Sequence, residues 1–463
     1  MLDVVIVGAG LAGLSASISL RRAGHKVRIY EGSSFEDDIG AALNITPTTA
    51  RFLTRWGLDP EASDFVKAST IHIQDPLTMD IISTDSHADS KDLYDANLWY
   101  AHRADLHEAL RKMATGPAGP GVPVVIHLDS PVARYDADLP AAYLQSGEEI
   151  RADFIVGADG IRSAAREVVF GNGNPRVAPK HYNMCYRFMV PAAVLEEDPE
   201  TRFWTENVDG LIRMMTDDKA DRKLIAYTCR NNTIHNFMCL TREDDIDPDA
   251  REDFQVGFDK AQLLKRFSGL HPSLMAVISK AADVRRWPLW YHPPAPTWRK
   301  GKLVLAGDAV HPIFPQQGQG GAMALEDGLA LGIVMSGATD ASDVEKLLDM
   351  YEKIRRSRAA VTQILSNVGR DESSWDEDEL VKFMPKEAIP KSIKEMWTYD
   401  FEYDVADEAI QAMEEFDPSF HVPYNYFEDD SFNMSLISAE LSKMCGFITI
   451  ETCISVETEV TTV

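Results

Sequence analysis

Short apolar runs that break off into glycine recur three times along this chain of 463 residues. Val4–Val7 leads into Gly-Ala-Gly, Phe154–Val156 into Gly-Ala-Asp-Gly, and Leu303–Ala306 into Gly-Asp. A run without polar alternation is what a strand buried on both faces of a parallel sheet requires. After the first run, LAGLSASISLRRAG has helical spacing through Leu11, Leu14 and Ile18 and stops at Gly24, and KVRIYE returns to strand. These segments predict a βαβ unit in an α/β fold. The rhythm changes between about residues 175 and 285, where HYNMCYRFMV, RKLIAYTCR and HNFMCL read as successive strands. They predict a β-rich unit inserted between the glycine-bearing segments. Helical spacing resumes from Glu345 to Val361.

The first unit carries chemistry. Gly8, Gly10 and Gly13 form a GxGxxG turn between strand and helix, and Glu31 closes the second strand. Bare backbone there lets N–H groups approach a pyrophosphate, and the helix N-terminus adds partial positive charge. An acid at the end of the second strand accepts the ribose hydroxyls of an adenosine. Strand, helix and acid agree, so the segment predicts dinucleotide binding; the turn by itself leaves NAD and FAD both open. The GNG at Gly171–Gly173 follows no strand-to-helix turn, and no second fingerprint of this kind is expected.

Composition excludes more than it assigns. A net charge of −27 argues against a nucleic-acid partner, because phosphate binding needs basic stripes. Much of that charge is local: from Asp371 to Asp430 there are 19 acidic residues against 4 lysines. Such a run reads as a solvated acidic surface or partly disordered segment, yet Trp375, Trp397, Tyr399, Tyr403, Tyr424 and Tyr426 fall in it and argue against complete disorder. A lid or an oligomer contact are both open there. Five cysteines without a CxxC pair suit a reducing compartment. The first strand begins by Asp3, which leaves no room for a leader, and no apolar run reaches the ~20 residues of a membrane span. The expected location is cytoplasmic. The terminal stretch FITIETCISVETEVTTV is β-prone and has no functional reading.

In this order the three glycine-bearing segments resemble the fingerprints of the single-component FAD-dependent aromatic hydroxylases, the salicylate hydroxylase-like flavin monooxygenases that include many fungal pathway enzymes. RADFIVGADGIRSAAR, with Arg162 and Ser163, is similar to the second fingerprint, and the run from Leu303 to Gly328 to the third. YAHRADLHEAL is similar to the family's arginine-bearing helix start, and TPTTARFLTRWGL to its helix after the second strand. The resemblance spans roughly residues 3–365. It implies a Rossmann-like FAD-binding domain from residues 1–70, 98–172 and 284–365, with an inserted β-rich substrate domain from 71–97 and 173–283. The acidic segment 366–463 matches nothing in the family.

Residue roles follow from the resemblance. Arg103 contacts FAD and Asp308 holds a ribitol hydroxyl. The loop Pro315–Gly321 lets the flavin ring lie against bare backbone. The helix starting near Gly321 or Ala322 aims its positive end at the flavin's pyrimidine edge. Ala41 and Ala42 pass close to the ribityl chain, although Ile-Gly-Ala-Ala-Leu departs from the family by lacking a further glycine. CYRFM and LIAYTCR resemble the family's Tyr-Arg strand and the Tyr strand after it, which carries over Arg187 as a phenolate or carboxylate clamp and Tyr227 as a proton-transfer or hydrogen-bonding partner. His311 has a side chain able to take a phenol proton near neutrality, but His-Pro there also shapes the loop, and packing or flavin contact is the expected role. Tyr186, Trp287, Trp290, Tyr291 and Trp298 are candidates for an aromatic pocket, most of them expected in the core.

The implied reaction has NAD(P)H, docking transiently, reduce FAD; O2 then gives a flavin C4a-hydroperoxide that passes one oxygen to a small phenolic substrate. Where the attacked carbon carries a carboxylate, carbon dioxide would be lost; where it carries an alkyl group, the ring would lose aromaticity. Epoxidation of an isoprenoid double bond is the alternative among related flavoproteins, and a flavin-bound sensor is the non-enzymatic one.

Overall fold

The computed structural model describes residues 1–35, 41–171, 173–244, 257–367 and 375–427. The three apolar runs become neighbours in one six-stranded sheet, in the order Arg299–Lys300, Leu303–Leu305, Phe154–Gly157, Asp3–Val7, Lys26–Tyr30, Val125–His127. All its pairings are parallel except the hairpin at the Arg299–Lys300 edge. Val5 lies beside Ile155, and Ile155 beside Leu303. The three glycine turns therefore leave the sheet at the same edge, which is where open parallel sheets bind ligands.

Helix Leu11–Arg22 is buried on nearly every side, although its leucines suggest one apolar face. The reason is a second helix, Gly320–Met335, laid against it. A Cβ on Gly328 would overlap the backbone of Ser15 and Ala16, and one on Gly332 would overlap Ser19. The hydroxyls of Ser15 and Ser19 donate across the contact to the carbonyls of Leu325 at 2.7 Å and Leu329 at 3.1 Å. Small residues bring the backbones together, and serines satisfy their own polarity at the seam.

The inserted strands form a seven-stranded sheet, in the order Arg285–Pro288, Met184–Pro191, Ile234–Thr241, Arg222–Cys229, Leu211–Asp217, Thr70–Gln74, Ile81–Ser86. Its one parallel pair joins Leu211–Asp217 to Thr70–Gln74. Arg285–Pro288 is an edge strand of this sheet, paired with Met184–Pro191, although the sequence grouping starts a cofactor stretch at residue 284. A small sheet of Ala42–Ile45, Trp99–His102 and Val66–Lys67 stands between the two large ones. Among the described residues no helix is long and apolar enough to cross a membrane.

The acidic segment is folded where it is described. Helix Val405–Phe416 sends Val405, Ala409, Ile410 and Met413 into the core of the cofactor lobe, and Phe420 and Tyr426 follow. Helix Ile393–Glu402 sets Phe401, with Trp397 beside it, against the core shared by the small sheet and the seven-stranded sheet. Its last turn has carbonyls that no helical N–H can reach. Two arginines supply donors: Arg51 reaches the carbonyl of Phe401 at 3.1 Å and that of Tyr403, and Arg358 reaches those of Tyr399 at 3.0 Å and Asp400 at 2.9 Å. Trp375 and Tyr424 lie in the described part, whereas the terminal FITIETCISVETEVTTV lies outside it.

Asp400 is fully buried, and burial pushes its carboxyl up to about 7, against the pull of Arg358. The folded state thus keeps a proton that the unfolded chain gives up near pH ~4. The stability from that proton is fully present below pH ~4 and is lost as the pH rises to about 7. Asp400→Asn is expected to flatten this decline and to be the more stable protein at pH 8, by about 1–3 kcal/mol. Urea midpoints taken from pH 5 to pH 8 read the difference; parallel curves for the two proteins would contradict it.

Candidate active site

A cavity of about 510 Å³ opens where the glycine turns face the seven-stranded sheet. Its cofactor-side wall is Gly10–Ala12, Ala41–Asn44, Arg103, Ala158–Arg162, Asp308 and much of the loop from Pro312 to Gly321. Its opposite wall is Arg187, Ile212, Met214, Ile225, Tyr227 and Met238, with Trp287–Trp290 at one side. Of the residues singled out from sequence, Gly10, Ala42, Arg103, Asp308, Gly321, Arg187 and Tyr227 all line this one space.

Gly8, Gly13, Glu31 and Ala322 stand behind the lining. Gly8 has φ +101°, a conformation that favours glycine, and a Cβ on Gly13 would overlap its carbonyl. Glu31 braces the same turn: its carboxylate accepts from the N–H of Ala9 at 2.7 Å and of Ser33 at 2.8 Å. Each oxygen retains a further lone pair. Ala322 is buried under the start of its helix.

Three observations fit FAD in this space. A Cβ on Gly10 would meet nothing within 4 Å, so packing alone does not call for glycine there. Asp159 holds Tyr135 and the N–H of Ala165 through Oδ2, while its buried Oδ1 has no hydrogen-bond partner. Helix Gly320–Met335 starts at the cavity with two glycines, no side-chain cap and no acid in its first turn. Open N–H groups at a helix start suit an electron-rich heterocycle.

On the opposite wall, Arg187 donates from Nη2 to the carbonyl of Ala42 at 2.7 Å, and its buried Nε has no hydrogen-bond partner. Tyr227 packs on Tyr100 with ring centroids 4.7 Å apart. Burial pushes the Tyr227 hydroxyl up to about 12, and nearby Arg187 pulls the other way. Near neutral pH it is therefore a phenol that can donate or accept. Asn236, wholly buried on the neighbouring strand, accepts from the N–H of Ala42 at 3.3 Å. The peptide of Ala42 is thus gripped on both sides by the sheet.

His311 does not face the cavity. It is 2% exposed, with Nε2 2.6 Å from Oδ2 of Asp327 and Trp298 packed on its ring. Trp287 and Trp290 line the cavity, Tyr291 lies half-buried near Phe314, and Trp298 is core. Tyr186 points to the far face of the sheet, where its hydroxyl donates to Glu243. Asp105 and Glu108, on the same helix as Arg103, pair with Arg230 and Arg111. Arg166, not singled out from the sequence, donates to the carbonyls of Asp308 and of Ala309, the latter at 2.8 Å. Its place in the helix after Gly-Ala-Asp-Gly was the available signal.

With the site in view, comparison with known proteins assigns its class. The family described as FAD binding domain matches residues 1–365. The FAD-dependent monooxygenase cfoG of Aspergillus candidus is 44% identical over 422 residues, 91% of this chain and 97% of that protein. Hispidin-3-hydroxylase of Neonothopanus nambi is 33% identical over 374 residues, 77% of this chain and 86% of that protein. The crystal structure of CtdE with FAD and a substrate superposes with a TM-score of 0.74 at 21% identity, covering 90% of this chain and 98% of that one. The chain belongs to the FAD-binding-domain family and, within it, to the FAD-dependent monooxygenases.

Two glycine substitutions separate cofactor contact from packing. Gly10→Ala is expected to keep the parent's thermal midpoint when the two are compared as apoproteins, while weakening FAD binding, seen as loss of yellow colour after purification. Gly13→Ala has no space for its methyl and is expected to lower the midpoint by a stability loss of about 1–3 kcal/mol. Full flavin occupancy in Gly10→Ala would contradict the assignment of that turn.

Proposed function

We propose that this monooxygenase hydroxylates a phenolic aromatic compound, with NAD(P)H as reductant and O2 as the oxygen source. The observation that carries the reading is a guanidinium and a phenol, Arg187 and Tyr227, set in an apolar wall across the cavity from a glycine-rich loop. The hydroxylation named for the hispidin-3-hydroxylase relative supports it.

In this reading residues 1–70, 98–172 and 284–365 hold the cofactor, while 71–97 and 173–283 cover the substrate. The turn of Gly8, Gly10 and Gly13 takes the pyrophosphate at the start of helix Leu11–Arg22, with Arg103 adding positive charge. Glu31 receives the adenosine ribose, and Asp308 a ribityl hydroxyl. Ala42 would border the ribityl chain, and the helix start at Gly321 and Ala322 would offer its open N–H groups to the flavin's pyrimidine edge. FAD, when bound, supplies the redox and oxygen-activating chemistry.

The chain's own residues prepare the substrate. Ile212, Met214, Ile225 and Met238 keep water from the reacting ring. In that low-dielectric wall a guanidinium stabilises an oxyanion far more than it would in water, so Arg187 holds the substrate as a phenolate. A phenolate is the more electron-rich ring and the better acceptor of an electrophilic oxygen. Tyr227, itself a neutral phenol near neutral pH, hydrogen-bonds the same oxygen. A substrate carboxylate, if present, competes for Arg187, so hydroxylation, decarboxylative hydroxylation and dearomatisation remain outcomes of one site and are separated by product mass.

The test is a panel of phenolic acids and alkyl resorcinols, read by substrate-stimulated NAD(P)H consumption and by product mass. A gain of one oxygen is expected, with or without loss of carbon dioxide. Arg187→Ala should cut kcat/KM by about 10²–10³ and Tyr227→Phe by about tenfold or more. An Arg187→Ala enzyme of parental activity, or turnover confined to isoprenoid double bonds, would refute the phenol reading and favour epoxidation.

A further inference from the structure

One buried carboxylate next to this site has no part in the reading above. Asp327 is wholly buried in helix Gly320–Met335, outside the cavity lining. Its Oδ2 accepts from the backbone N–H of Gly307 at 2.8 Å and lies 2.6 Å from Nε2 of His311. Its Oδ1 accepts from Nε of Arg355 at 3.0 Å. Burial works against ionisation, but His311, Arg355 and the Gly307 N–H outweigh it and hold the carboxyl below the usual carboxylate range.

The turn it holds needs holding. Gly307 has φ +64°, and a Cβ there would stand 2.8 Å from that of Ala12. Arg166 grips the carbonyls of Asp308 and Ala309, and Asp327 grips the N–H of Gly307, so the three-residue turn is fixed from two sides. The residue between those grips is Asp308, whose side chain lines the cavity. Arg355 is itself fixed by Glu326, 2.9 Å from its Nη1, and by the hydroxyl of Tyr403 at 3.3 Å. A buried chain of contacts thus runs from Tyr403 of the C-terminal segment through Arg355 and Asp327 to the turn.

We infer that Asp327 is a positioning residue for the cofactor: braced by Arg355, it fixes the Gly307–Ala309 turn and His311, and so sets where the Asp308 carboxylate stands. This rests on the reading of Asp308 as a cofactor contact. An amide at 327 has one acceptor oxygen for three donors, so one grip must fail.

The test is a double-mutant cycle on FAD affinity, measured on apoprotein by quenching of flavin fluorescence, for Asp308→Asn, Asp327→Asn and the pair. Each single substitution is expected to weaken FAD by about tenfold or more. The pair is expected to lose little more than the worse single variant, because both act through one contact. The visible flavin bands of Asp327→Asn should shift as those of Asp308→Asn do. Additive losses, or parental affinity in Asp327→Asn, overturn the inference. Parental affinity in Asp308→Asn overturns the reading of Asp308 itself, and the inference with it. If Asp327→Asn fails to fold, Arg355→Lys, which keeps the charge but loses the planar fork, takes its place in the cycle under the same criteria.

Discussion

Helices Leu11–Arg22 and Gly320–Met335 meet closely enough that a single methyl on Gly328 would drive them apart. Ser15 donates to Leu325 across 310 positions of sequence, and Ser19 does the same to Leu329. This seam brings two of the three glycine turns to one sheet edge. The first helix starts over the Gly8–Gly13 turn, and the second starts at the loop that follows Asp308. Were the helices held apart by larger side chains, the two turns could not wall the same cavity. Ordinary helix packing leaves roughly 8–10 Å between axes, set by the side chains at the contact; here glycine against serine removes most of that bulk.

What the sequence discloses follows from which constraints are local. Parallel strands need unbroken apolar runs, and tight turns need glycine, so the βαβ start and the later Gly-Asp segments can be read from a few residues each. Arg187 and Tyr227 share a wall because strand alternation puts Arg187 and Tyr227 on the cavity face and Tyr186 on the other. Burial all round helix Leu11–Arg22 is not local, because its cause lies three hundred residues away. Charge in a helix ordinarily reads as surface, so Glu326, Asp327, Arg355 and Arg358 give no hint that they are buried against each other. The acidic run after residue 371 misleads in the same way: its net charge suggests solvent, while Trp397, Phe401 and Met413 within it supply core.

The site is divided between a wall made mainly of backbone and a wall made of side chains. The cofactor-side wall is largely backbone, fixed by glycine sterics and by the carboxylates of Glu31 and Asp327, which accept from N–H groups of the turns. The opposite wall is side chain, and most of it is apolar. Differences in substrate among proteins of this architecture can therefore arise on the sheet without disturbing the turns. The peptide of Ala42, held by Arg187 and Asn236, is a place where the sheet takes a direct grip on the cofactor side.

Tyr426 completes the packing around the first helix, its hydroxyl 2.5 Å from that of Ser19 across 407 positions of sequence, while Arg22 donates to its carbonyl at 3.0 Å. The first helix is thus finished by nearly the last residues described. Contacts of such separation form late, because the intervening chain must first be ordered. The nascent N-terminal strand and helix stay incomplete, with apolar surface uncovered, until residues beyond 420 have been synthesised. Uncovered apolar surface of this kind is what makes an incomplete chain prone to aggregate.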